Sequence, residues 1–84
     1  MIYIKETLLQ DSSVEIRVDG VLDAESIPTL AGVCQKHLDS EKKILLHIEG
    51  LLHISREGMD FLRVIQKKVV IIDPLPRFKG VEPI

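Results

Sequence analysis

Ile44-Leu45-Leu46-His47-Ile48-Glu49-Gly50-Leu51-Leu52-His53-Ile54-Ser55-Arg56-Glu57-Gly58-Met59-Asp60-Phe61-Leu62 is the segment whose reading decides the fold. Its first five residues are nearly continuous apolar, the pattern of a central strand covered on both faces. Gly50 is expected to break that strand, leaving Leu51 to Ile54 as a connection. From Ser55 the period changes. Met59, Leu62 and Ile65, with Phe61 beside them, supply one buried helix face, and the helix closes on the cationic Lys67-Lys68. Val69-Val70-Ile71-Ile72 then reads as another buried strand. Strand, helix and strand in this order imply parallel pairing through a right-handed crossover.

Upstream, Val14, Ile16 and Val18 alternate with Glu15, Arg17 and Asp19, a half-buried strand that Gly20 is expected to end. Ile2, Ile4 and Leu8 outline an earlier strand, and the polar turn Gln10-Asp11-Ser12-Ser13 makes a hairpin of the two. Between this hairpin and residue 44, Ile27, Leu30, Cys34 and Leu38 recur at helical spacing. Asp23 or Ser26 can cap that helix, Pro28 fits its first turn, and Gly32 would permit close packing on a sheet. The expected fold class is α/β: a mixed sheet in the order β-β-α-β-α-β, with helices packed on it.

The chain has 84 residues, room for one small domain. With 45% apolar and 29% charged residues it has the composition of a folded globule. Eleven basic against thirteen acidic residues give a net charge of −2, which argues against a dedicated nucleic-acid binder. The single cysteine, Cys34, excludes an internal disulfide and fits a reducing cytoplasm. No signal peptide is expected at the N-terminus. The longest apolar run, Val69 to Ile72, falls far short of the roughly 20 residues a bilayer span needs, so no direct membrane contact is expected.

Three stretches, taken in order, resemble the STAS domain of bacterial anti-sigma factor antagonists and of sulfate-transporter tails. They are Gly20-Val21-Leu22-Asp23 followed by Pro28 and Leu30, the strand Ile44 to Ile48 followed by Glu49-Gly50, and the loop Leu51 to Ile54 entering a helix that carries Gly58. The resemblance covers roughly residues 13–73 and implies a non-enzymatic protein-interaction module. The partner it implies is a kinase-type anti-sigma factor or another regulatory protein. The contact residues carried over are Ser55, Arg56, Glu57, Gly58, Asp60 and Arg63. The phosphoregulated members carry Asp-Ser-Ser-Gly or Asp-Ser-Thr-Gly before the second helix. Here the stretch is Ser55-Arg56-Glu57-Gly58, so Glu57 stands at the phosphoacceptor position, and His47 replaces an aspartate usual near the end of the preceding strand. A carboxylate is no serine or threonine phosphoacceptor, so the familiar switch is expected to be absent. Two alternatives are a phosphoswitch acting on Ser55 and a small subunit of a membrane transport assembly.

Other chemistry is thin. Glu57 is a partial phosphoserine mimic at most, with one charge where phosphoserine has about −1.5 to −2. An acidic residue in a helix's first turn also has a plain structural use, because it offsets the macrodipole. Ser55 is well placed to cap the second helix. Cys34 and His37 can share a helix face, yet a closed zinc site needs four converging ligands, and neither metal nor cofactor is expected. Ser55, His53 and Asp60 can be written as a triad, but no nucleophile-elbow glycines surround the serine. There is no dinucleotide or P-loop glycine pattern, so no enzyme is expected.

Residues 1–73 are expected to form the domain and 74–84 an extended, proline-rich tail. STAS domains usually continue with further helix and strand after the stretch matching Val69 to Ile72, so the C-terminus reads as truncated. Leu75, Phe78, Val81 and Ile84 could cover the remaining apolar surface, on their own chain or on a neighbour as a homodimer.

Overall fold

The computed structural model of the protein describes residues 1–73. Its elements are β1 (Ile2–Leu8), β2 (Ser13–Leu22), α1 (Ile27–Asp39), β3 (Lys43–Ile54), α2 (Arg56–Ile65) and β4 (Val70–Ile72). The strands form one sheet in the order β1-β2-β3-β4. β1 and β2 pair antiparallel, from Ile2 opposite Gly20 to Leu8 opposite Val14. β2 pairs β3 in parallel, and β3 pairs β4 in parallel. This is the β-β-α-β-α-β mixed sheet expected from the sequence. The tail, and the homodimer reading attached to it, lie outside the described residues.

The alternation in β2 and β3 places one set of side chains inward. Val14, Ile16, Val18, Ile44, Leu46 and Ile48 are each at most 1% exposed. They form one cluster with Leu30 and Cys34 of α1 and with Leu62 and Ile65 of α2. Full burial of one such aliphatic side chain contributes roughly 1.5–3 kcal/mol, so this layer supplies most of the driving force.

Several expectations need correction. Ile44 to Ile48 is not covered on both faces. Leu45 and His47 are only half-buried, on a sheet face that no described element covers and that they share with exposed Tyr3, Lys5 and Arg17. Leucine happens to fill an outward position, so period two was hidden. Gly50 does not end β3, and Gly20 does not end β2. Parallel pairing continues to Leu22 opposite Ile54, with register shifts after Arg17 and Gly20 that absorb the irregularity. Gly20 has φ +104°, and a Cβ there would stand 2.5 Å from the Met1 carbonyl oxygen, which accepts a bond from Val21 N–H at 3.0 Å. Gly32 faces open space, not the sheet. Val70 is 45% exposed on the last strand, whereas Val69, in the turn before it, is buried.

Local polar bonds fix the turns. Ser26 is the N-cap of α1, but its side chain caps no helix amide. Instead Asp23 Oδ1 accepts from Ser26 N–H at 3.1 Å, and Ser26 Oγ accepts from Asp23 N–H at 2.9 Å. At the hairpin, Asp11 Oδ1 accepts from the amide and hydroxyl of Ser13. His37, which the apolar stripe did not include, is buried, and its Nε2 meets Glu6 Oε1 at 2.5 Å. Lys36 Nζ reaches the same oxygen at 3.1 Å, so Glu6 ties β1 to α1.

These bonds have a pH consequence. The His37 and Lys36 contacts hold Glu6 below its ordinary 4.5. The Ser13 hydroxyl and amide hold Asp11 below 3.8, and the Ser26 amide and hydroxyl do the same for Asp23. A carboxyl whose pKa is lower in the folded than in the unfolded chain binds its proton more weakly when folded. Its stabilisation is complete above the ordinary value and is lost as pH falls through the lowered one. Tm is therefore expected to drop on acidification from the ordinary carboxylate range downward, and Glu6→Gln to make that drop shallower. A thermal-melt series against pH on both proteins checks this.

Candidate functional site

β2 and β3 end side by side, with Leu22 opposite Ile54. The next residue, Ser55, donates its N–H to the Leu22 carbonyl at 2.9 Å and so binds the start of α2 to the ends of both strands. Its backbone is extended, and its hydroxyl oxygen accepts from Gly58 N–H at 3.0 Å. Such an N-cap contributes about 1 kcal/mol because it satisfies an amide that has no partner within the helix.

Gly58 faces inward. A Cβ built on it would lie 2.6 Å from the Leu22 carbonyl oxygen, 3.0 Å from Leu22 Cγ and 3.1 Å from Ile54 Cγ2. The glycine lets the first turn of α2 rest directly on the backbone of β2. It positions the site without facing a partner, which corrects its place among the expected contact residues.

Around this turn lies an open groove of about 780 Å³, lined by Ile54, Ser55, Arg56, Met59, Asp60 and Arg63. Ile54 and Met59 are its apolar, half-buried members. Arg63 Nη1 donates to Asp60 Oδ1 at 2.8 Å, an exposed pair one helical turn apart. The side chains of Arg56 and Glu57 are exposed and make no hydrogen bond or ion pair within the described residues. Four of the six expected contact residues thus meet in one groove. Glu57 lies in the first turn of α2 but does not line it.

Sequence reasoning did not count the apolar groove residues Ile54 and Met59 among the contacts, and it placed Leu52, which lies outside the groove, in a connection where the structure has strand. Leu52 is 85% exposed beside buried Leu51. Alternation from Ile44, Leu46 and Ile48 would put Leu52 inside and Leu51 outside. The extra β3 residue at the register shift between the Arg17–His47 and Asp19–Gly50 pairs reverses that phase, which the sequence did not signal.

The remaining chemistry does not assemble. The Ser55 hydroxyl is engaged by Gly58 and Asp60 by Arg63, and neither bonds to His53. Burial pushes the Cys34 thiol up to about 11, which leaves it a small hydrophobe at neutral pH. His37 turns to Glu6, not to Cys34. His47 lies on the uncovered sheet face, between Glu15 at 3.3 Å and Glu49 at 3.6 Å. Among the described residues, no group of three or more His, Cys, Asp or Glu side chains is placed to hold a metal ion. No helix among them is long and apolar enough to cross a membrane.

No protein-family model matches the chain, and no curated protein sequence does. Solved structures do. The fold is similar to that of an anti-sigma factor antagonist from Mycobacterium paratuberculosis, with a TM-score of 0.78 at 13% identity, over 95% of this chain and 74% of that one. It is similar to the anti-sigma factor antagonist SpoIIAA in its unphosphorylated form, with a TM-score of 0.71 at 16% identity, over 94% and 80% of the two chains. A protein from Shewanella loihica with a SpoIIAA-like fold gives a TM-score of 0.58 at 22% identity, over 88% and 68%. The likeness is one of fold, and the fold is STAS-like.

Proposed function

We propose that this STAS-like fold serves as a non-enzymatic regulatory module that docks onto a protein partner through the groove at the head of α2. The observation that carries the reading is the groove itself, in which half-buried Ile54 and Met59 stand together with Ser55, Arg56, Asp60 and Arg63. Its mixture of apolar and charged side chains suits a protein surface. The fold likeness to anti-sigma factor antagonists supports a partner of the anti-sigma factor kind, and the single free cysteine fits the cytoplasm as the place where they meet. Glu57 supplies a permanent negative charge where phosphoregulated STAS domains carry a reversible one. The Ser55 hydroxyl, engaged as the helix cap, supports the same reading over a phosphoswitch at that residue.

Arg56 is the residue to test, because it lines the groove, is exposed and makes no ion pair within the described residues. Charge at the rim governs association rate and partner choice more than fold stability. The tagged full chain is used to recover its partner from its own cells, and the purified pair is then titrated. Arg56→Glu is expected to weaken binding by about tenfold or more, with unchanged circular dichroism. Equal affinity of the two proteins would remove the groove from the interface.

A further inference from the structure

We infer that α2 is also a self-docking surface, through which two copies of this chain meet along antiparallel α2 helices. The surface is the stripe Glu57, Phe61 and Val64 of α2, continued by Lys68 in the turn that follows the helix. Within α2 the spacing of four and three residues is that of a helix–helix seam, and Lys68 borders the same groove as Phe61 and Val64. Phe61, Val64 and Lys68 border a groove of about 170 Å³ whose other wall is Ala31, Cys34 and Leu38 of α1. Val64 is 68% exposed beside that apolar wall.

The order of residues along the stripe selects the occupant. A two-fold contact places each residue against its reverse-order counterpart on the other copy. Read antiparallel, Glu57 meets Lys68, Phe61 meets Val64, and the same two pairs recur on the other side of the axis. The apolar residues fall at the centre and opposite charges at both ends. Neither Glu57 nor Lys68 has an ion pair within the described residues, so both charges are available. Asp60 and Arg63, which satisfy each other, line the partner groove on the opposite flank. Antiparallel alignment also opposes the two helix dipoles. A parallel arrangement would set Glu57 against Glu57 and Lys68 against Lys68.

A contact of two helices lies at the small end of specific interfaces, so the association is weak and depends on concentration. Sedimentation equilibrium of the full chain, carried to about 1 mM, reads it directly. The wild type is expected to show a monomer–dimer equilibrium. Val64→Lys is expected to remain monomeric over the same range with an unchanged circular dichroism spectrum. Glu57→Lys and Lys68→Glu each turn two attractive pairs into repulsive ones and are expected to weaken dimerisation by about tenfold. The double variant Glu57→Lys/Lys68→Glu restores the pairing and should return to near the wild-type constant. A wild-type chain that stays monomeric at the highest concentration overturns the inference. So does a dimer that survives Val64→Lys, which would place self-association elsewhere, residues 74–84 included. A double variant no better than the single ones overturns the antiparallel register.

Discussion

Leu62→Ala is expected to lower the unfolding free energy by about 2–5 kcal/mol. Leu62 is fully buried and belongs to the core cluster with Leu30, Leu46 and Ile48. Alanine removes its transfer free energy and leaves a cavity between helix and sheet that neighbouring side chains fill only in part. α2 has ten residues, too few to be stable as an isolated helix, so packing on the sheet holds it in place. For 84 residues, typical stabilities of about 0.05–0.15 kcal/mol per residue give about 4–13 kcal/mol in total. The substitution thus removes a large fraction of it and loosens the helix that carries the groove. Val64→Ala, on the exposed side of the same helix, is expected to stay within about 0.5 kcal/mol of wild type. Urea titrations of the three proteins, with matched m-values, check the contrast.

Gly58→Val is expected to cost a similar amount by the opposite route, overpacking. The 2.6 Å approach is to a backbone carbonyl oxygen, Leu22 O, which cannot rotate away. The first turn of α2 must move off the sheet, at the upper end of the roughly 1–3 kcal/mol that inserted methylenes cost in a packed interior. Valine is also branched at Cβ, which a helix tolerates less well than alanine. Gly32→Ala separates this effect from general helix preference. Gly32 is helical too, but no atom lies within 4 Å of the built Cβ. There alanine should stabilise by roughly 0.5–1 kcal/mol, because only the conformational entropy of glycine is removed. Two glycines in helices thus give opposite signs in one measurement, the midpoint of unfolding. If Gly58→Val matches wild type, α2 does not rest on Leu22 as described.

Both effects depend on the packing of α2 against β2, and the sequence disclosed that packing unevenly. The apolar stripe through Leu62 and Ile65 showed which side of α2 turns inward, because period 3.6 gathers those side chains on one face. The cap was legible as well, since Ser55 precedes Gly58 by three residues and a serine hydroxyl there has an unpartnered amide to accept from. Gly58 was read as a helix residue in contact with a partner. Only the approach of a second strand revealed its structural use, and residue spacing says nothing of what lies across a sheet.

The same division runs through the molecule. Alternation in Val14 to Val18 and the helical recurrence of Leu30 and Cys34 determined element order and fold class by themselves, because those patterns follow from single-chain geometry. Where β2 and β3 end was decided by tertiary structure. Glycine weakens an isolated strand, yet Gly20 and Gly50 are held within the sheet by parallel pairing that runs on to Leu22 and Ile54. Tertiary structure also decided which charges have partners. Glu6 finds His37 from 31 positions away, Asp60 finds Arg63 nearby, and Arg56, Glu57 and Lys68 find none within the described residues. The physical reason is range: backbone periodicity is a local property, whereas packing, close approach and charge pairing depend on distances that exist only once the chain has folded.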